Sequence, residues 1–330
     1  MPEITDAPPA WLNTELDTLR SSLNAQIPRK KSGANANILI ATWNLRGFAS
    51  VTRKWLSSDS DSPKRDLAGL LYIATIIQSF DVIAIQELKG NLRALRDILN
   101  FLGKDWSFLM TDITVGDQGN GERMAFIFDR RRVQPSGLAA EIVIPPEWLD
   151  NEASLNAQSL KTQFARTPYA VSFKAGDQTF ILVTLHVLYG DEADRVLELA
   201  ALARWMQNWA SKSHRWHHNL LTLGDFNTDR RGDTLWEAFT STGLEAPPEL
   251  NSVRRTLFST PGDTQSDKFY DQIAWFMDSR HKARLSMEYV SGGGFDFLPF
   301  VYTQVDPALS KTSVSWRVSD HYPLWVEFKR

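Results

Sequence analysis

Leu220-Leu221-Thr222-Leu223-Gly224-Asp225-Phe226-Asn227 begins as an apolar run and closes on a glycine, an acid and an amide. A short apolar run of this kind suits a strand buried on both faces. By itself the polar ending reads as a turn, because Asp and Asn bond readily to nearby backbone. The same grammar recurs on both sides of it. Ile38–Trp43 runs into Asn44, Val82–Gln86 into Glu87, and Phe180–Leu185 into His186. Tyr270-Asp271 stands at the head of Gln272–Phe276, and Ser319-Asp320-His321 ahead of Leu324–Phe328. Singly, Glu87 reads as an acid favouring the positive end of a following helix, and His186 as a structural histidine. Together these breaks supply only oxygen ligands, amides and imidazoles. In stacked α/β layers, ligand sites gather beyond the carboxyl ends of strands.

The rest of the chain fits such layers. Met124–Phe128 and Ala170–Phe173 are further strand candidates, and helices are expected over Arg65–Gln78, Leu92–Leu99 and Ala193–Ala210. The mixture predicts layered sheets covered by helices. Residues 1–36 read as an appendage. Trp11, Leu12, Leu16, Leu19 and Leu23 recur at helical spacing and should pack on the main body. Pro28 to Gly33 reads as a polar linker. Nothing divides residues 37–330.

The chain has 330 residues, 43% hydrophobic and 23% charged, as expected of a globular protein. No apolar run reaches the roughly 18–20 residues that span a bilayer. Met1 to Ala10 lacks the basic and apolar pattern of a signal peptide, which favours a cytoplasmic setting and leaves the compartment open. With no cysteine, any metal must sit on oxygen or imidazole. A net charge of −3 weighs mildly against tight nonspecific DNA binding.

Eight ordered stretches resemble the endonuclease/exonuclease/phosphatase superfamily, the deoxyribonuclease I-like fold. They are Thr42-Trp43-Asn44, Ile85-Gln86-Glu87, Glu122-Arg123, Arg166-Thr167-Pro168, Leu185-His186, Gly224-Asp225-Phe226-Asn227, Tyr270-Asp271-Gln272-Ile273 and Ser319-Asp320-His321. The resemblance covers residues 37–330 and implies a four-layer α/β sandwich, two packed mixed sheets flanked by helices. It implies a divalent cation on Glu87 and Asp320 with Asn44 beside it as ligand or orienter. Mg²⁺ suits oxygen donors, with Mn²⁺ or Ca²⁺ as alternatives. It implies that Asp225 and Asn227 handle the attacking water and the transition state. His186 and His321 resemble catalytic imidazoles, oriented by Glu122 and Asp271. Arg166 resembles a phosphate contact, although an arginine opening a strand is also ordinary.

The expected reaction is in-line attack of water on phosphorus, most simply in a nuclease acting on DNA or RNA. No obligate protein partner is indicated. A phosphatase or phosphodiesterase acting on lipid head groups or inositol phosphates is the alternative. Against it, the Trp-Thr-Asp-Arg-Ile type of signature is absent. An inactive binding scaffold is disfavoured by the full set of acids and histidines. His214, His217 and His218 follow a helix, where a structural reading prevails. Asp129-Arg130-Arg131-Arg132 is expected to be a solvated turn. The connections Arg46 to Lys64 and Arg254 to Lys268 are expected to border the cleft. Trp55, Phe258 and Trp316 are candidates for stacking on bases or for anchoring loops.

Overall fold

The computed structural model describes residues 1–115, 117–149, 163–211, 219–260, 268–278, 280, 282–305 and 309–330. Its strands are β1 (Asn37–Phe48), β2 (Val82–Lys89), β3 (Trp106–Met110), β4 (Glu122–Asp129), β5 (Gln134–Glu141), β6 (Tyr169–Ala175), β7 (Gln178–His186), β8 (Leu220–Thr228), β9 (Leu244–Glu245), β10 (Phe269–Phe276), β11 (Tyr289–Gly294) and β12 (Leu324–Lys329). The helices are α1 (Ala10–Gln26), α2 (Leu67–Ile77), α3 (Arg93–Leu102), α4 (Glu192–Ala210), α5 (Thr234–Thr240) and α6 (Lys311–Arg317).

The strands form two six-stranded sheets, in the orders β11-β12-β1-β2-β4-β3 and β5-β6-β7-β8-β10-β9. Each is built around one parallel pair, β1–β2 in the first and β7–β8 in the second, with antiparallel neighbours. Alternation along the strands separates the layers. Ile38, Ile40, Val82, Ala84, Phe126 and Phe128 meet Phe173, Phe180, Leu182, Leu221, Leu223 and Trp275 between the sheets. The intervening Leu39, Ala41, Trp43, Ile83 and Ile85 face the layer formed by α1, α2 and α3. Ile181, Val183 and Leu185 face α4 and α5. The result is the expected four-layer sandwich, and burial on both faces explains the unbroken apolar runs.

Helix α1 buries Leu12, Leu16, Leu19 and Leu23 in the same core as α2. Its buried Glu15 accepts bonds from the backbone of Tyr302 (2.9 Å) and Gln304 (2.6 Å) and from the Tyr72 hydroxyl. Asp66 caps α2 by accepting from Gly69 N at 2.9 Å and also accepts from the Tyr302 hydroxyl at 2.6 Å.

One local expectation is met only in part. Asp129 to Arg132 is a turn after β4 with Arg130 and Arg131 exposed, as expected, but it is held by a buried charge network. Asp129 and Asp81 are buried, gripped by the forks of Arg131 (2.9 and 2.8 Å) and Arg132 (2.9 and 3.2 Å). Asp129 ends β4, the strand that Glu122 begins, so this network closes the end of the sandwich remote from the cleft. Trp55 packs against the helical-side core and anchors its loop.

Candidate active site

At the carboxyl ends of the two parallel pairs lies a cleft of about 810 Å³. It is lined by Glu87, Glu122, Arg166, His186, Asp225, Asn227, Asp320 and His321 among others. Asn44 and Asp271 lie beneath, bonded to these residues. All ten residues singled out in the sequence thus gather in one place.

Backbone irregularity aims several of them. The β2–β4 register shifts between Ile85 and Leu88, and Glu87 there has φ of 61°. Such a bulge re-aims a side chain. Among the described residues, five that are not glycine have positive φ, and four of these (Arg46, Glu87, Asn120 and Asn227) line the cleft. That clustering marks strain held in place by surrounding bonds. Asn227 illustrates the restraint. Its N–H donates to Asp225 Oδ1 (3.0 Å), its Nδ2 to Val187 O (2.6 Å), and its carbonyl accepts from Arg195 (2.7 Å). Gly224, with φ of 143°, lies so close to β7 that a Cβ would stand 2.1 Å from Leu185 O. The residue before Asp225 therefore has to be glycine.

Asp225 is the hub. Its Oδ2 accepts from Asn44 Nδ2 at 2.9 Å and lies 3.7 Å from His186 Nε2 and 3.9 Å from His321 Nε2. Burial works against its charge, but His321 and His186 outweigh it and hold the carboxyl below its usual range. Each imidazole has a carboxylate behind it. His321 Nδ1 meets Asp271 Oδ2 at 2.6 Å, and His186 Nδ1 meets Glu122 Oε2 at 3.0 Å. Burial opposes the His321 cation, yet Asp271, Asp225 and Asp320 raise its pKa well above the ordinary value. The Ser-Asp-His turn is bolted to β1: Ser319 Oγ donates to Asn44 O (2.6 Å), and Trp43 Nε1 to His321 O (2.7 Å).

Three oxygen- or nitrogen-bearing groups, Glu87, Glu122 and His186, approach within 4.8 Å of one another, a spacing compatible with a metal ion. Glu122 is nevertheless heavily engaged. Its Oε1 accepts from Lys89 (2.9 Å) and Asn120 (2.6 Å), and its Oε2 lies 2.7 Å from Arg166 Nε and 3.0 Å from His186 Nδ1 without hydrogen-bond alignment to either. Both oxygens thus face protein cations rather than open cleft. Burial pushes its pKa up, but the His186 contact with the Arg166 and Lys89 charges brings it down to about 2. Glu87 is less committed: Oε1 accepts from Asn44 (3.0 Å) and Oε2 from Gly47 N (2.7 Å). Asp320 is partly exposed, and among the described residues its side chain pairs with the Arg46 guanidinium alone, at 3.3 Å. Glu87 and Asp320 therefore retain oxygen lone pairs toward the cleft, a donor set suited to a hard cation.

Some site residues carry no signal in the sequence. Lys89 and Asn120 complete the cage around Glu122. Tyr270, part of the Tyr270-Asp271 motif but with no role expected of it there, lies beside His321, ring centroids 5.6 Å apart. Buried Glu198 of α4 accepts from Ala165 N (2.7 Å) and Leu188 N (2.8 Å), fixing the loops that carry Arg166 and follow His186. Arg65 is buried beneath the cleft with its guanidinium on five backbone carbonyls. Of the long connections, Arg46 borders the cleft, whereas Arg53 pairs with Asp97 and Lys54 with Asp61. His214, His217 and His218 lie outside the described residues, as do 261–267 of the second connection.

Two facing mixed sheets with this acid and imidazole set at their shared end define a phosphoric ester hydrolase. The chain belongs to the Endonuclease/Exonuclease/phosphatase family, whose profile matches residues 41–321. It is 28% identical over 313 residues to a deoxyribonuclease of Thioalkalivibrio sp. (strain K90mix), an alignment covering 90% of this chain and 73% of that protein. Among solved structures, it resembles an endonuclease/exonuclease/phosphatase family protein from Bacteroides thetaiotaomicron, with a TM-score of 0.59, 18% identity, and 90% and 96% of the two chains covered. A mannosyl-6-phosphatase from the same organism gives a TM-score of 0.56 at 17% identity, covering 89% of this chain and all 100% of that one. No helix among the described residues is long and apolar enough to cross a membrane.

Proposed function

We propose that this protein is a divalent-metal-dependent nuclease that hydrolyses phosphodiester bonds by in-line attack of water. The observation that carries the reading is the convergence of two carboxylate-backed imidazoles on one Asp225 oxygen, at 3.7 and 3.9 Å. The kinship with a deoxyribonuclease favours a polynucleotide over a sugar or lipid phosphate.

In this mechanism Asp225, kept ionised by its neighbours, takes the proton of the attacking water. The water oxygen bonds to phosphorus as the bond to the leaving oxygen breaks. His321, protonated at neutral pH, gives its proton to that leaving oxygen. His186, held by Glu122, and the Asn227 amide face the phosphoryl oxygens where charge accumulates. Arg166 lies against Glu122 through Nε and donates from Nη1 to Val187 O at 3.3 Å, which leaves Nη2 for a phosphate oxygen. Glu87 and Asp320 would hold the cation, Mg²⁺ by donor type, with Asn44 orienting both Glu87 and Asp225. When bound, the ion supplies Lewis-acid neutralisation of phosphate charge.

The test is turnover with Mg²⁺ against plasmid DNA, single-stranded DNA, RNA, mannose 6-phosphate and a phosphoinositide panel. Polynucleotide cleavage that disappears in Glu87→Gln and His321→Ala, with folding intact, supports the proposal. Turnover confined to phosphomonoesters or lipids overturns the nuclease assignment, and undiminished turnover in both variants overturns the mechanism.

A further inference from the structure

Three large aromatic side chains stand exposed among the described residues: Tyr189 (76%), Phe258 (44%) and Trp316 (47%). All three line the catalytic cleft. An aromatic ring that anchors a loop is covered by the core, and these rings are not. Their supports, by contrast, are firm. Trp316 stacks against the Arg46 guanidinium at 3.9 Å, and Arg46 is itself tied to Ser315 Oγ at 2.6 Å and to Asp320. Phe258 rides a segment bonded to the catalytic turn, through Leu257 N to Asp320 O at 3.0 Å and a bridge between Thr256 and His321.

The charges of the cleft point the same way. Among the described residues, each lysine or arginine lining the cleft already faces a carboxylate: Arg46 faces Asp320, Lys89 and Arg166 face Glu122, and Lys268 faces Asp229 at 2.6 Å. Duplex binding draws its affinity from neutralising many phosphates with free Lys and Arg. A cleft whose cations are already balanced, in a chain of net charge −3, has little of that to give. Stacking of bases on aromatic faces is the other large source of affinity for nucleic acid, and it requires bases not already stacked in a helix.

We propose that Tyr189, Phe258 and Trp316 form a stacking rim that selects single-stranded polynucleotide. Unpaired bases flanking the scissile phosphodiester lie on these rings. The proposal rests on the nuclease reading and goes beyond it by naming the strandedness of the substrate and the residues that set it.

The experiment compares the full-length protein with Phe258→Ala, Trp316→Ala, Trp316→Phe and Tyr189→Ala, in Mg²⁺. The substrates are one oligonucleotide as a single strand, the same sequence in duplex, and a strand in which tetrahydrofuran units replace the nucleosides around the cleavage point. The wild type should favour the base-bearing single strand over both others. Each alanine variant should raise KM for that strand about tenfold with kcat within twofold, since losing one stacking ring weakens binding without touching the reacting atoms. Trp316→Phe should recover most of the loss. In the alanine variants the advantage of base-bearing over base-less strands should shrink toward unity. Equal wild-type KM for single strand and duplex, or an unchanged base-bearing advantage in the variants, overturns the rim while leaving the nuclease reading intact. Failure of the wild type to cleave any of the three strands, alongside turnover of a phosphomonoester, overturns both.

Discussion

Replacing Arg65 by Met should impair catalysis and stability together. The guanidinium donates to Leu45 O (3.0 Å), Arg46 O (2.9 Å), Gly47 O (3.1 Å), Arg317 O (3.3 Å) and Val318 O (3.1 Å). These carbonyls belong to two segments, one following Asn44 and contacting Glu87, the other leading into Asp320. At about 1 kcal/mol net per hydrogen bond, the set contributes roughly 4–5 kcal/mol. Against this stands the cost of burying a cation. Burial pulls the Arg65 pKa down to about 10, despite support from Tyr302, Glu87 and Asp320. At 1.36 kcal/mol per pKa unit, that drop corresponds to roughly 3 kcal/mol. Met removes that cost but leaves five buried or part-buried backbone carbonyls without their donor, at about 1 kcal/mol or more each, so Arg65→Met should lower unfolding stability by roughly 2–5 kcal/mol. The two segments would also lose their common tether, and a displacement of about 1 Å at a catalytic group costs on the order of 100-fold. The assay is kcat/KM on a single-stranded oligonucleotide across a Mg²⁺ titration, beside urea denaturation. The expected outcome is a rate loss of about 100-fold with weakened Mg²⁺ half-saturation. Activity within twofold of wild type, or a stability loss under about 1 kcal/mol, refutes the reasoning.

Other consequences are as direct. The folded state keeps a proton on His321 that the unfolded chain releases near pH 6.5. That contribution is fully present below about pH 6.5 and is lost as pH rises through the elevated folded value. Asp271→Asn should flatten the decline of unfolding stability above about pH 6.5 and move the alkaline limb of kcat/KM to lower pH; unchanged slope and limb would count against the pairing. Chelation by EDTA should abolish turnover, and Glu87→Gln or Asp320→Asn should weaken Mg²⁺ binding by calorimetry at least about tenfold, or 1.4 kcal/mol; full activity in EDTA refutes the cation assignment. Gly224→Ala drives a Cβ to 2.1 Å from Leu185 O and should cost about 3 kcal/mol or more in urea denaturation, whereas a loss under about 1 kcal/mol would mean that β7 and β8 can spread. Residues 1–36 are proposed to fold with the sandwich, so Leu16→Ala or Leu19→Ala in α1 should cost about 2–5 kcal/mol by the same measurement, and no change would make the helix dispensable.

How much of this was legible beforehand follows from burial and pairing. Strands with two covered faces, such as β2 and β8, announce themselves as apolar runs. Edge strands do not: β5 contains Pro135 and Gly137 and is largely exposed. β11 ends in three glycines, and a Cβ on Gly293 or Gly294 would stand 2.9 Å from Trp325 or 2.3 Å from Val253. The composition that hides this strand is what lets it pack. The short helices α5 and α6 have too few turns to display a period. At the site, side chains at strand ends could be read because strand geometry fixes where they go. Lys89, Arg65 and Glu198 could not, since a charged residue in sequence looks solvated until its partner from elsewhere in the chain is known. The forks of Arg131 and Arg132 on Asp129 and Asp81 were hidden for the same reason.

Between the sheets, directly below the cleft, Gln86 donates to Thr42 Oγ1 at 3.1 Å and to Thr184 Oγ1 at 3.0 Å. Those hydroxyls belong to opposite sheets. Greasy surfaces tolerate a small slide past one another, because dispersion and hydrophobic contact have no preferred direction. An amide caught between two hydroxyls does not tolerate it. It works as a dowel, keying one half of the sandwich to the other at the level where His186 and Asp225 from one sheet must meet Asn44 and Glu87 from the other. Swapping that amide for an aliphatic side chain of equal bulk would leave a protein that still melts cooperatively but whose halves no longer hold their alignment.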